Sequence, residues 1–165
     1  MLKNKMESTY TLTEKEYVNA NKLFTKPNKN MLILYFFSFL VLVMAAVIKD
    51  TLQIQIIIAF IIIGGFVGHV FVRFVYAPVQ TKHQYREYKA AQESSTIVVV
   101  ETGIIFKSQM GESIIEWSRI NNWRENNQFI LIYQSRETYH IIPKRIGEVS
   151  SVIQKLLLEH IGNAT

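Results

Sequence analysis

Hydrophobic and polar positions change their spacing twice along the chain. Residues 31–77 form two almost uncharged apolar runs, whereas residues 95–142 alternate short apolar runs with polar turns. From about Gly147 to His160, apolar side chains recur at steps of three and four, the spacing of an amphipathic helix. The pattern predicts an α+β protein, with an apolar helical part, a β-rich part and a final helix.

The two apolar runs are long enough to cross a membrane. The first, residues 31–48, has 18 residues without a charge and would span about 27 Å as a helix. The second covers residues 52–76, and the short connection between them predicts a transmembrane helical hairpin with both chain termini on one side. The alternatives are a buried hairpin of a soluble protein and a signal peptide, which the 30 preceding residues disfavour.

Positive charge is concentrated beside the apolar runs. The net charge is +5, and residues 1–30 contain six of the lysines but three glutamates. The positive-inside rule therefore predicts cytoplasmic termini. Charge placed beside apolar segments suits anionic lipid headgroups better than nucleic acid, so we expect membrane lipids and no nucleic acid among the partners.

The segments that flank the hairpin have their own signals. In residues 1–30, Thr13 followed by Glu16 is a capping box, which predicts a helix that begins near Glu14 and stops before Pro27. Residues 9–12 are predicted to form a short strand. Residues 78–94 are predicted to form a linker helix, because Pro78 should break or kink the helix before it.

Turn residues recur every 8 to 12 positions in the β-rich part, which is typical of an antiparallel meander. Six strands are predicted, at residues 96–101, 104–108, 113–117, 120–125, 129–133 and 138–142. A curved sheet or open barrel closed by a C-terminal helix is the outline of a pleckstrin-homology-like (PH-like) domain, here residues 95–165. A missing seventh strand could come from residues 9–12.

Gly64 and Gly68 form a GxxxG pair in the second run. Small residues let helices approach closely. Two interpretations stay open: packing within the hairpin, against Ala45 and Ala46, or formation of a homo-oligomer.

Few residues suggest chemistry. The chain has no cysteine, no phosphate-binding or nucleophile motif, and no histidine at metal-ligand spacing, so we expect no catalytic, metal or cofactor site. Lys144 and Arg145 are the best candidate contacts, because cations at a helix N-terminus oppose its dipole and need an acidic partner, a lipid phosphate or Glu148. The alternative is a turn with a solvated salt bridge. Lys22, Lys26 and Lys29 are further candidates, since they approach the membrane.

The chain resembles the YcxB-like family of small bacterial membrane proteins, which carry a hairpin followed by a YcxB-like C-terminal domain. The residues that carry the resemblance are YTLTEKEY (residues 10–17), TGI (102–104), WSRI (117–120), FILIY (129–133) and IIPKR (141–145). The resemblance implies a multi-pass protein of the bacterial inner membrane, and it implies no mechanism.

Three functional hypotheses follow. The first is a non-enzymatic inner-membrane protein that presents a cytoplasmic PH-like domain to a protein partner or an acidic lipid. The second is an immunity or accessory subunit of a membrane assembly or toxin system. The third, a transporter or enzyme, is disfavoured because two spans line no path on their own and no acid–base pair stands out.

Overall fold

The computed structural model describes residues 6–27, 29–48, 51–135 and 138–164. The helices are α1 (Glu14–Phe24), α2 (Lys29–Ile48), α3 (Leu52–Phe71), α4 (Ala77–Glu87) and α5 (Glu148–His160). The strands are β1 (Met6–Tyr10), β2 (Ser95–Val100), β3 (Gly103–Ser108), β4 (Gly111–Glu116), β5 (Asn122–Glu125), β6 (Phe129–Tyr133) and β7 (Tyr139–Pro143). The α+β class is therefore confirmed.

The strands form two antiparallel sheets, in the orders β1-β2-β3-β4 and β5-β6-β7. The N-terminal segment supplies the seventh strand, although at Met6–Tyr10 rather than 9–12, and pairs with β2. The expectation of a single curved sheet is corrected, because a 3₁₀ turn at Trp117–Arg119 separates β4 from β5. The N–H of Trp117 donates to the carbonyl of Thr102, so the chain leaves the first sheet there and starts a new one.

A single hydrophobic core joins both sheets and α5. Trp123, Ile130 and Ile153 are fully buried, and each buried side chain of this size contributes roughly 1.5–3 kcal/mol to folding. The indole N–H of Trp123 donates to the carbonyl of Gly162 over 2.8 Å. Trp117 is also buried. Both tryptophans are thus core residues.

Gly103, in the TGI stretch, lies against the backbone of β4. A Cβ atom at this position would overlap the carbonyl oxygen of Ile115 and come within 2.8 Å of the Cα of Glu116. The close approach of β3 and β4 at this end of the sheet therefore requires glycine.

Helix α1 begins with the predicted capping box. The N–H of Glu16 donates to Oγ1 of Thr13 over 3.2 Å, and the N–H of Thr13 donates to the carboxylate of Glu16 over 3.0 Å. At the other end, the guanidinium of Arg124 in β5 donates to the carbonyl of Phe24 over 3.2 Å. Both ends of α1 therefore have polar partners.

The chain divides into two compact units. The first combines the residues up to Thr25 with those from Thr81 onwards, and the second is Lys26–Gln80. The first unit is thus discontinuous in sequence. The division into residues 1–30, 31–77, 78–94 and 95–165 stays a prediction.

In the second unit, α2 and α3 contact each other. The ring of Tyr35, near the start of α2, lies 6.2 Å from that of His69, near the end of α3. The two helices therefore run antiparallel.

One helix, continuous over Leu52–Glu87, is long and apolar enough to cross a membrane, and the other apolar helix has a shorter described run, Asn30–Ala45. Of the two outcomes expected at Pro78, the break is wrong, because the helix continues to Glu87, and the kink stays a prediction. A π-helical turn at Val72–Tyr76 ends two residues before Pro78. This wider turn accommodates a residue that lacks an N–H and whose ring crowds the preceding turn.

The glycine pair lies on an open surface. A Cβ atom at Gly64 or Gly68 would meet nothing within 4 Å. Neither glycine therefore supports close packing within the described helical pair, and a homo-oligomer through this pair stays a prediction.

Candidate functional site

A polar cleft of about 660 Å³ lies within the first unit. Three segments far apart in sequence form its walls: the start of α1, the turn between β5 and β6, and the turn after β7. The lining residues are Thr13, Lys15, Glu16, Asn19, Asn127, Gln128, Phe129, Lys144 and Arg145. The cleft therefore brings together two of the predicted contact residues and one cation, Lys15, that the charge pattern did not single out.

Arg145 is held by the N-terminal segment. Its Nε donates to Oε1 of Glu16 over 2.6 Å, and its terminal nitrogen donates to the carbonyl of Thr11 over 2.7 Å. The acidic group that the sequence requires beside this cation is thus Glu16, the capping-box residue, rather than Glu148. Arg145 keeps a half-exposed side chain, so one face of the guanidinium still meets the cleft.

Lys144 is paired in the same way with another carboxylate. Its Nζ donates to Oε2 of Glu125 over 2.6 Å, and both side chains are about a quarter exposed. Nε2 of Gln154, from α5, donates to the same carboxylate oxygen over 2.9 Å. This network ties β5, the turn after β7 and α5 together. It corresponds to the salt bridge that the sequence left open as an alternative, although it is partly buried rather than solvated.

Lys15 differs from these two cations. It is exposed on the first turn of α1, and no hydrogen bond or ion pair reaches it from residues 6–27 or the other described ranges. The sequence signal was present in the YTLTEKEY stretch, where Lys15 lies between the two acidic residues of the first helical turn.

Lys22 and Lys26 are not among the residues that line the cleft. Lys22 is exposed near the end of α1, with Nζ 3.4 Å from Oδ1 of Asn19. Lys26 falls in the second compact unit, and the side chain of Lys29 lies outside the described part of the chain. Their contact with lipid stays a prediction.

Ionisation in the cleft follows from these contacts. The hydrogen bond from Arg145 lowers the pKa of the Glu16 carboxyl, and the same bond raises the pKa of Arg145. Both groups are therefore charged at neutral pH. Behind them, burial raises the pKa of Tyr10, whose hydroxyl donates to the carbonyl of Ile141 over 2.8 Å.

A second cleft, of about 500 Å³, is lined by Thr102, Glu116, Trp117, Ser118 and His160. The rings of Trp117 and His160 stack on each other at 5.3 Å, so the aromatic face there is already covered. Within the described residues, no three His, Asp or Glu side chains come together as metal ligands would.

The chain shares one stretch with a known family. Residues 99–147 match the family model described as YcxB-like protein. The resemblance indicated by the sequence is thereby confirmed over this YcxB-like segment. No curated protein and no solved structure matches the chain.

The YcxB-like segment supplies one part of the cleft. It runs from within β2 to Gly147 and therefore contains Lys144 and Arg145, whereas Lys15 and Glu16 lie far before it in sequence. The cleft is thus completed by a part of the chain that the matched segment does not include.

Proposed function

We propose that the chain is a non-enzymatic membrane protein whose first unit, called the folded unit from here on, binds an acidic group in the cleft. The observation that carries the proposal is the meeting of Lys15, Lys144 and Arg145 on one polar surface. Two of these cations have a carboxylate partner each, and Lys15 offers a charge that no described carboxylate neutralises. Lys15 and Arg145 line the same cleft, so we expect a phosphate or carboxylate bound there to form charge-assisted hydrogen bonds with both.

Membrane attachment is supported by the exposure of the apolar helices. Phe60 and Phe66 in α3 are 72% and 69% exposed, and large contiguous apolar surfaces of this kind mark contact with lipid or protein. The continuous helix over Leu52–Glu87 is long enough to span a bilayer.

A two-span hairpin is supported by the way the chain leaves and re-joins the first unit. Nδ2 of Asn21, before the apolar helices, donates to Oγ1 of Thr81, after them, over 2.5 Å. The hydroxyl of Tyr85 donates to the carbonyl of Leu12 over 2.7 Å. Residues 26–80 are therefore an insertion whose two ends are held side by side, and such an insertion crosses a bilayer an even number of times. We accordingly propose that α2 also spans the membrane, in addition to the helix over Leu52–Glu87.

The folded unit is best described as PH-like, given its sheets of four and three strands and its C-terminal helix. The lysines of residues 1–30 favour a cytoplasmic location at a bacterial inner membrane. Lys22, Lys26 and Lys29 favour an acidic lipid as the source of the ligand. The role of an immunity or accessory subunit stays an untested alternative.

Binding is tested with full-length protein in nanodiscs of phosphatidylcholine, titrated with glycerol 3-phosphate or with a deca-glutamate peptide. We expect saturable binding of at least one probe, and a loss of about fivefold in affinity for Lys15→Ala, equivalent to roughly 1 kcal/mol. The matched control is Lys155→Ala, which removes an equal charge from an exposed position of α5. Preference for the phosphate supports a lipid headgroup and preference for the peptide supports an acidic protein. Equal affinities of the two variants, or no binding of either probe, contradict the proposal.

The hairpin is tested separately by labelling single cysteines, since the natural chain has none. In intact bacterial spheroplasts, an impermeant maleimide should modify Thr51→Cys, which lies between the apolar helices. It should modify Leu158→Cys, an exposed position of α5, only after lysis. Labelling of Leu158→Cys from outside would refute the cytoplasmic assignment without bearing on the cleft.

A further inference from the structure

Strand β4 is the most exposed strand of the folded unit. Five of its six residues are exposed, whereas β5 and β7, at the edges of the other sheet, have no exposed residue. In the described chain β4 pairs with β3 alone. Its outer edge therefore offers unpaired backbone N–H and C=O groups, which are a template for another strand.

An apolar stripe on the outer face of the first sheet ends at this edge. Val98, Ile105 and Ile114 are aligned across β2, β3 and β4. Val98 is fully buried, but Ile114 is 54% exposed. Residues alternate between faces along a strand, so this stripe lies opposite the core face of Ile115. Ile114, at the exposed end of the stripe, would become buried if another strand paired with the outer edge of β4.

The sequence of β4 is suited to pairing with itself. If two β4 strands run antiparallel with Ile114 opposite its own copy, the stripe continues from one sheet into the next. Glu112 of one copy then faces Glu116 of the other. A shift of two residues in either direction would instead set Ile114 against a glutamate.

The charges around β4 are compatible with this register. Nζ of Lys107 lies 2.9 Å from Oε2 of Glu112, and Nε of Arg119 lies 3.6 Å from Oε2 of Glu116. Each of these carboxylates therefore already has a positively charged partner within its own copy of the chain. The facing glutamates become part of a cluster with two positive and two negative charges, instead of an isolated like-charge pair, which would destabilise the ladder.

We propose that β4 is a self-association site, at which the β4 strands of two copies pair antiparallel with Ile114 on the two-fold axis. A junction of two six-residue strands is smaller than a standard stable interface, so the expected dimer is weak and reversible. This site is independent of the ligand cleft and of the Gly64 and Gly68 pair in the apolar helices.

Disulfide formation in the full-length protein tests the register, because the natural chain has no cysteine. At the axis, the Cα atoms of the two copies of residue 114 would be about 4.5–5.5 Å apart, a distance that a disulfide bridges. Under mild oxidation in detergent, Ile114→Cys should therefore form a covalent dimer. Met110→Cys, on the same hairpin and more exposed, would place its Cα atoms roughly 27 Å apart.

The matched controls decide the outcome. We expect the dimer yield of Ile114→Cys to exceed those of Met110→Cys and Leu158→Cys by about tenfold, because only position 114 meets the distance requirement. Equal yields at the three positions would indicate random collision and overturn the proposal.

A second measurement does not alter Ile114. Glu112→Cys protein mixed with Glu116→Cys protein should form a mixed disulfide in preference to either self-disulfide, because these positions face each other across the axis. Self-disulfides in excess would refute this register. Tryptophan fluorescence verifies that each variant is folded.

Discussion

The ion pair between Arg145 and Glu16 connects the C-terminal part of the folded unit to its N-terminal helix. Replacing Arg145 with alanine removes two hydrogen bonds to the Glu16 carboxylate, at 2.6 and 3.2 Å, and one to the carbonyl of Thr11. The capping box itself remains, since Thr13 still bonds to Glu16. The substitution therefore probes how strongly the N-terminal helix is tied to the β-rich part.

The expected cost follows from exposure. The side chains of Arg145 and Glu16 are 50% and 22% exposed, so the ion pair is screened by solvent and contributes about 1 kcal/mol at most. The bond to the Thr11 carbonyl adds about 1 kcal/mol. We expect Arg145→Ala to lower the free energy of unfolding by about 2 kcal/mol, with about half of the loss shared with Glu16→Ala in a double-mutant cycle.

Urea unfolding followed by tryptophan fluorescence measures this loss. The only two tryptophans of the sequence, Trp117 and Trp123, are buried in the folded unit, so the signal reports that unit alone when the apolar helices remain in detergent. Arg119→Ala is the matched control, because its pair with Glu116 is exposed on both sides and should contribute under about 0.5 kcal/mol.

The pH dependence of the free energy of unfolding tests independently whether the Arg145–Glu16 ion pair causes this loss. The pKa of Glu16 in the folded state lies below its ordinary value of 4.5, so the pair contributes fully above that pH and its contribution is lost as the pH falls through the lower, folded-state value. The difference in the free energy of unfolding between the natural protein and Arg145→Ala should therefore become smaller at acidic pH. A coupling energy near zero at neutral pH, or a difference that does not depend on pH, would refute the reasoning.

Three further substitutions test the core. Gly103→Ala should destabilise the unit by about 1–3 kcal/mol because its Cβ overlaps the β4 backbone, whereas Ser113→Ala on the exposed edge should be close to neutral in the same urea titration. Tyr10→Phe should cost about 1 kcal/mol by leaving a buried carbonyl without its donor, and Tyr88→Phe, at a 60% exposed position, should cost nothing measurable. Trp123→Phe should cost about 1–3 kcal/mol through lost volume and the lost bond to the C-terminal tail, and circular dichroism should follow its thermal unfolding.

Local patterns predicted most elements well. The six strands after residue 95 were found within two residues of their predicted ends, because alternation, β-branched residues and turn residues all act over short distances. The capping box at Thr13 and Glu16 was confirmed for the same reason. The break expected at Pro78 was wrong, since the effect of a proline depends on whether the preceding turn widens to accommodate it.

The sites depended on contacts that no local pattern contains. The charge run identified Lys144 and Arg145, but their carboxylate partners, Glu125 and Glu16, come from elements 19 and 129 residues away in sequence. Lys15 lies in the YTLTEKEY stretch, but only the fold places it in the same cleft as these two residues.

The sequence by itself determined the apolar helices, the strand-rich part and the resemblance to the YcxB-like family, because each rests on the spacing or identity of neighbouring residues. Only the tertiary structure decided that β1 pairs with β2 in a sheet separate from β5-β6-β7, that Asn21 meets Thr81, and that Lys15, Lys144 and Arg145 line one cleft. Such long-range pairings depend on which surfaces meet when the core is buried.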